Sequence, residues 1–283
     1  MPFQPDLSRY FERIDYRGAA VPTLGSLDAI IVGHLRHIPF ENVDVLLGRR
    51  IELDPASIEQ KLIEHRRGGY CFEQNTFLYH VLAALGFRVT TLAARVRIGR
   101  PRGEVAPRTH VFLRVELAEG SYLVDVGVGG LSPTAALRLV VDITQPTPHE
   151  PRRIVREGAW DGLGLRAPGA TLYHQVSLDG TWQDVCEFTL EEMPELDREI
   201  GNFYTSTHPG SHFKDRLFVA LATERGRKTL LNRRFSRREG ERVDVHEIAT
   251  PAELRDVLAR EFGIELPAGA RLDCAGLDWP ASG

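Results

Sequence analysis

Apolar positions recur at helical spacing through the first ninety residues and change to strict alternation near Val89. Ser26 can cap a helix whose stripe is Leu27, Ile30, Ile31, His34 and Leu35, ending ahead of Pro39, because a serine oxygen accepts a free N–H of the first turn. Asp54 before Pro55 marks a second start, since proline at the first helical position gives up an N–H that had no partner, and its stripe is Ile58, Leu62 and His65. A third helix begins near Cys71 and turns Phe77, Leu78, Val81, Leu82 and Leu85 inward before Gly86 stops it. Together these predict a helical bundle.

Beyond Val89 the residues Val111, Leu113, Val115 and Leu117 alternate with His110, Phe112, Arg114 and Glu116. After Ala118-Glu119-Gly120 a second β-rich run spans 122–126, which predicts a hairpin. Two further strands are expected at 171–178 and 183–188, with Asp179-Gly180 as the turn between them, and loops are expected over 132–168, where Pro, Gly and charge dominate. Residues 218–231 and 234–248 read as two more hairpins. Thr250-Pro251-Ala252-Glu253 is a capping box that opens a final helix with the stripe Leu254, Val257, Leu258 and Phe262 before Gly263. The pattern is therefore α+β: helices, then antiparallel sheet, then a mixed end.

Composition narrows the function classes. Lys and Arg number 35 against 39 Asp and Glu, a formal net charge of −4, so no broad basic face favours nucleic acid or an anionic membrane. Three cysteines in 283 residues are too few for a secreted disulfide framework, and no apolar run approaches the roughly 20 residues that span a bilayer. The N-terminal residues lack the apolar stretch of a signal peptide. A cytoplasmic protein is expected.

Candidate chemistry concentrates in Arg66-Arg67-Gly68-Gly69-Tyr70-Cys71-Phe72-Glu73-Gln74-Asn75. The glycines allow a tight entry that sets a thiol in the first turn of a helix, where free N–H groups and the helix dipole favour a thiolate. A buried structural cysteine is the bland alternative. A nucleophilic thiol needs a base and an orienting group, and His110 and Asp125 lie on the two strands of the 110–126 hairpin. At about 3.3 Å per residue an ordinary register separates them by roughly 7–13 Å along the strands, so contact calls for another register or a bulge. Gly127-Val128-Gly129-Gly130 could bring backbone N–H groups to an anion, although a turn leaving a strand uses the same residues. His208 and His212 have the spacing of a helical metal pair, but Pro209-Gly210 breaks the helix, and no metal site is expected. Arg67 is the expected partner of Glu41.

These residues carry a resemblance. Tyr16 with Pro22-Thr23-Leu24, Ile38-Pro39-Phe40-Glu41-Asn42 leading into Asp44-Val45-Leu46-Leu47-Gly48-Arg49, Arg66 to Asn75, Thr109-His110, Leu123-Val124-Asp125-Val126-Gly127 and the 202–213 stretch NFYTSTHPGSHF all match bacterial arylamine N-acetyltransferases. The resemblance implies a helical bundle over 1–90 carrying the nucleophile, a β-barrel over 91–200 carrying His and Asp, and an α/β lid over 201–283. It also implies a core like that of papain-type cysteine proteases, with Cys71, His110 and Asp125 converging as the catalytic triad, so the simple hairpin register is expected to fail. It implies acetyl transfer from acetyl-CoA, a co-substrate with no tightly bound cofactor beside it, to arylamines or arylhydrazines. CoA is expected near Thr109, Gly127, Gly129, Tyr204, Thr207 and Ser211, and the arene near Phe40, Phe72, Val128 and Phe203. Two positions depart from the family: Val128 stands where relatives commonly carry an aromatic, and Gly210 where some carry a hydroxyl residue. A homodimer is allowed. An amide synthase of the same family, a hydrolase on the shared core and a silent binding protein are the alternatives, separated by acetyl-CoA-dependent turnover.

Overall fold

A computed structural model describes residues 3–158 and 171–279. The N-terminal segment holds α1 (Leu7–Arg13), α2 (Leu24–His37), the short strand β1 (Phe40–Glu41), α3 (Val43–Leu46), α4 (Pro55–Glu59) and α5 (Cys71–Ala84). Helix α1, absent from the sequence expectation, is capped by Asp6, whose side chain accepts from Arg9 N. Helix α2 begins two residues before the expected Ser26: Thr23 is the cap and accepts from Ser26 N, while the Ser26 hydroxyl reaches back to Ala19 O at 3.2 Å. Asp54 and Pro55 start α4 as expected, but the helix widens into a π turn at Gln60–Glu64, and His65 falls outside the buried stripe. The inner face of α5, from Phe77 to Leu85, packs with Tyr10, Leu27, Ile30, Ile31 and Leu62 into one apolar cluster.

The strands β2 (Arg88–Val96), β3 (His110–Leu117), β4 (Gly120–Val124), β5 (Leu137–Arg138), β6 (Arg152–Glu157), β7 (Thr171–Leu178) and β8 (Thr181–Glu192) form a seven-stranded sheet in the order β5-β4-β3-β2-β8-β7-β6, curled into a nearly closed barrel. Its interior is lined by Leu92, Phe112, Leu123, Ile154, Val176, Val185 and Phe188. The Asp179-Gly180 turn has positive φ at both residues, 51° and 79°, the geometry that joins two twisted strands in two residues. Strand β6 corrects the expectation of loop throughout 132–168. Arg152 takes an inward position that an apolar residue would normally mark, so the alternation was hidden. Residues 159–168 of that stretch lie outside the described residues.

After β8 come α6 (Glu195–Thr207), α7 (His212–Asp215), β9 (Phe218–Ala222), β10 (Gly226–Leu231), β11 (Arg234–Glu239), β12 (Arg242–Glu247) and α8 (Pro251–Phe262). Both hairpins and α8, with Thr250 as cap and Gly263 left-handed at φ 67°, stand where the pattern put them. Helix α6 was not foreseen because its polarity is inverted: Gly201, Asn202 and Thr205 face inward, while Leu196, Ile200 and Phe203 are 65%, 62% and 70% exposed. The second sheet runs β1-β9-β10-β11-β12, so a two-residue strand from the N-terminal segment forms one edge of a sheet otherwise built from the C-terminal segment. Asn42 secures that junction, donating to Phe213 O and Arg216 O and accepting from Phe218 N, each at 2.8 Å. No helix among the described residues is long and apolar enough to cross a membrane.

Candidate active site

Cys71 is the first residue of α5 and is buried where both sheets meet the helices, among Phe40, Tyr70, Phe72, Val111 and Ala220. The two glycines before it answer a steric demand. A Cβ on Gly68 would stand 2.0 Å from Pro39 O, and one on Gly69 would stand 2.6 Å from Glu73 Oε2. That space lets Glu73 fold back and accept from Tyr70 N at 3.0 Å, closing the helix start. Below it runs a chain of buried charge: Lys61 Nζ lies 2.6 Å from Glu73 and 2.8 Å from Asp44, and Arg67 lies 2.7 Å from Glu41 and 3.4 Å from Asp44. Burial disfavours the Lys61 charge, but Glu73, Glu41 and Asp44 outweigh it and hold the amine charged above its usual range. The expected Glu41–Arg67 pair is thus one link of a larger network. Gln74 ties the same turn to the bundle, donating to Pro39 O and Gly69 O at 3.0 and 2.7 Å.

His110 opens β3, and Asp125 follows the last residue of β4. Pairing is regular from Leu117↔Gly120 to Leu113↔Val124, which puts Asp125 two residues out of step with His110 on the same face. The expected failure of the simple register does not occur. The imidazole and carboxylate close the diagonal themselves, with Nε2 2.7 Å from Oδ2, both side chains being buried. The strand-to-loop exit past Val124 then turns back over α5. A Cβ on Gly127 would lie 2.6 Å from Cys71 Cα and 2.6 Å from Asn75 Nδ2, so only glycine lets the two segments touch.

Asn75 is the site residue whose role sequence reasoning did not reach. Fully buried one turn beyond Cys71, it donates from Nδ2 to Asp125 Oδ1 at 2.9 Å and to Val111 O at 2.8 Å, and its Oδ1 accepts from Val126 N at 3.1 Å. With Gly127 N donating to Asp125 Oδ1 at 2.8 Å, the carboxylate is gripped from three sides. Burial would raise the Asp125 pKa, but the His110 charge and hydrogen bond, Asn75 and Gly127 N–H hold it below the usual carboxylate range. Burial likewise opposes a charged imidazole at His110. The Asp125 carboxylate, with a hydrogen bond to Cys71, nevertheless pushes it up to about 10. Cys71, His110 and Asp125 therefore form one file, with the sulfur also 3.8 Å from Thr109 O.

Cys186 looks incidental in sequence but is not remote. Its sulfur lies within 4.8 Å of donor atoms of both His110 and Asp125, and burial pushes its thiol well above the usual range, which keeps it protonated. Beside it Arg152 is completely buried and donates to Leu131 O at 2.7 Å, to Ser132 O at 3.3 Å and to His174 Nε2 at 3.2 Å. Burial and that guanidinium push His174 down to about 3, so it stays a neutral acceptor.

The remaining expected contacts divide. Gly129, at φ 76°, brings the loop against Phe40, and Tyr204 stacks on His208 with ring centroids 4.5 Å apart. Thr207 on α6 donates to Phe203 O at 2.5 Å. Phe72 is wholly inside, edge-on to Tyr70 and packed on Gly201. Ser211 is also buried; its hydroxyl donates to Thr205 O at 2.5 Å and accepts from Phe213 N, which commits it to shaping the loop. Val128 belongs to the apolar interior of the barrel, and Phe203 points outward from α6. A cavity of about 180 Å³ opens beside Gly130, walled by Leu131, Leu178, Thr229, Ser236, Arg227 and Arg238.

Residues 23–271 match the sequence profile of the N-acetyltransferase family. The chain is 41% identical over 266 residues to the arylamine N-acetyltransferase of Mycobacterium tuberculosis, covering 92% of this chain and 90% of the relative. It is also 41% identical over 262 residues to that of Escherichia coli, covering 92% and 89%. Among solved structures, the arylamine N-acetyltransferase of M. smegmatis superposes with a TM-score of 0.87 at 37% identity over 98% of this chain and 99% of that one. The Mycobacterium marinum enzyme in complex with CoA superposes with a TM-score of 0.84 at 36% identity over 92% and 93%. With both sequence and fold matched nearly from end to end, the chain belongs to the arylamine N-acetyltransferase family and is an acetyltransferase.

Proposed function

We propose that this enzyme carries acetyl from acetyl-CoA to arylamines and arylhydrazines by a ping-pong route through acetyl-Cys71. The observation that carries the reading is the buried file in which Asp125 Oδ2 lies 2.7 Å from His110 Nε2 and the imidazole stands beside Cys71 at the start of α5. The Cys71 thiolate adds to the thioester carbonyl. Collapse of the tetrahedral adduct breaks the C–S bond to CoA, and the departing thiolate takes the His110 proton. His110, now neutral, accepts a proton from the incoming amine as it attacks the acetyl carbonyl, and the Cys71 thiolate leaves to restore the starting pair. Backbone N–H groups at the start of α5, which no helical carbonyl reaches, are placed for the oxyanion.

Thr109, Gly127, Gly129, Tyr204 and Thr207 are the proposed CoA contacts, and Phe40, Val128 and Phe203 the proposed arene surroundings. Residues 1–90 supply the nucleophile, 91–200 its base and carboxylate, and 201–283 the covering segment. No step calls for a tightly bound cofactor or a second active site, so the chemistry is compatible with a monomer or a homodimer in the cytoplasm. Intact mass after mixing with acetyl-CoA tests the reading: wild type gains one acetyl group and Cys71→Ala gains none. Equal labelling of the two would remove Cys71 as nucleophile.

A further inference from the structure

Among the described residues, strand β12 ends the five-stranded sheet, pairs only with β11 and is exposed at every residue. Natural edge strands are shortened, bulged, broken by proline, covered or charged, and β12 uses only the last of these, through Arg242, Asp244 and Glu247. This one runs six residues in unbroken register without proline or glycine, and it shows Val243 and Val245 at 43% and 49% exposure on one face. Its backbone polarity is fixed. Ile248 N donates to Arg233 O at 2.8 Å, so the even-numbered residues bond inward to β11. Val243, Val245 and Glu247 therefore turn their N–H and C=O groups outward.

We propose that β12 is the surface on which two copies of this chain join, antiparallel about a two-fold axis through Val245, merging two five-stranded sheets into one. The outward parity admits only registers in which odd residues face odd residues. Centring on Val245 sets Val243 opposite Glu247 of the second copy, and about six backbone hydrogen bonds form across the three odd pairs. On the other face it sets Asp244 against His246 of the second copy twice over. His246 is already positioned by Glu253 Oε1 at 2.5 Å, and Asp244 by Arg242 at 2.9 Å. Centring on Asp244 would press two carboxylates together and Arg242 against His246. Centring on His246 would face the two imidazoles. Like-charge pairs directly opposite destabilise a ladder. Centring on Val243 would set Arg242 against Asp244 twice but would pair Val245 with Glu241 in the turn and keep only one odd pair within the strand, whereas centring on Val245 keeps three; the Asp244–His246 row of that longest ladder is complementary to itself, which fits a second copy as the partner.

Sedimentation velocity across the micromolar range, with acetyl transfer measured on the same samples, tests this. Wild type should reach a dimer. Val245→Pro removes an outward N–H without touching the bonds to β11, and it should raise the dissociation constant at least tenfold while melting temperature and turnover per chain stay put. In a Cys274→Ala background, Val245→Cys should cross-link under a mild oxidant, because a hydrogen-bonded antiparallel pair holds its Cα atoms about 5.5 Å apart, within disulfide reach. Asp244→Cys should not. A wild type monomeric at every concentration, a dimer that survives Val245→Pro, or cross-linking as ready at 244 as at 245 would each overturn the proposal. If Val245→Pro fails to fold, the cross-linking pair decides.

Discussion

Asn75→Ala offers the sharpest probe of the site. The substitution strips partners from Val111 C=O, Val126 N–H and one oxygen of Asp125, all buried. A neutral buried group left unpaired costs about 1 kcal/mol or more and a charged one about 1.5–3, so the loss is roughly 3–5 kcal/mol. For a chain of this size that corresponds to a fall in Tm of roughly 6–12 °C. Asp125 loses one of three donors, which removes one of the hydrogen bonds that hold its pKa down. Since it starts below the usual range, it remains ionised at neutral pH. What suffers is the aim of His110: if the lost bond energy passes into alignment, acetylation slows about 10–100-fold. Rapid-quench mass spectrometry of acetyl-Cys71 formation measures that step alone. Asn75→Asp nearly preserves shape but places a second carboxylate 2.9 Å from Asp125 Oδ1, where like charges must share a proton. Its acetylation rate should therefore fall as pH rises and that proton is lost. Wild-type Tm and rate in Asn75→Ala, or identical pH profiles for the two variants, would refute the positioning role.

Other outcomes follow from the same geometry. Gly127→Ala drives a methyl to 2.6 Å from Cys71 Cα, and the cost of overpacking, about 1–3 kcal/mol, should appear as a lower Tm together with slower acetylation; unchanged values would show that the loop yields freely. His110 has a folded pKa near 10, above its ordinary value, so its stabilising contribution is complete below about pH 6.5 and fades as pH climbs through 10. Thermal melts should thus decline more steeply from pH 7 to 10 in wild type than in His110→Asn, and parallel curves would contradict the ion pair. Cys186→Ala leaves a small void beside the triad, and we expect a loss of about 1 kcal/mol with acetylation retained; loss of acetylation in a folded variant would make that thiol part of the chemistry. Val128→Phe meets the packed barrel interior, so a lower Tm should accompany any change in amine preference, and the placement fails if preference shifts with no effect on melting.

Much of the architecture could be read from local signals. Caps and stripes located α2, α4, α5 and α8, and alternation with Asp179-Gly180 located β7 and β8, because those elements bury an apolar face near in sequence to their own start and stop signals. Helix α6 escaped because its inward face is Gly201, Asn202 and Thr205, chosen for fit against Phe72 and Tyr70, and its apolar residues face out. Strand β6 escaped because Arg152 sits inside, supported by carbonyls that only the folded loop supplies. At the site, residue types and order marked Cys71, His110 and Asp125, whereas the part played by Asn75 depends on a helix and a loop exit meeting 51 residues apart, which no local pattern records. Ser211 and Phe72, marked by their motifs, are buried and bonded or packed within the fold.

The two-residue strand β1 sets a schedule for biosynthesis. Asn42 and β1 await partners beyond residue 212, and Tyr70, just ahead of the nucleophile, bonds to Asn202. A nascent chain emerges N-terminus first and its early segments fold before the late ones exist. When the ribosome has made only the first two hundred residues, Cys71, His110 and Asp125 are all present, but the neighbourhood that buries the thiol still lacks Phe213, Phe218 and Ala220. Such long-range closure is slow to form. A chain stalled or clipped before β9 thus holds the three reacting residues without the apolar wall of Phe213, Phe218 and Ala220, and the pocket around the thiol is completed only when nearly the whole polypeptide has been delivered.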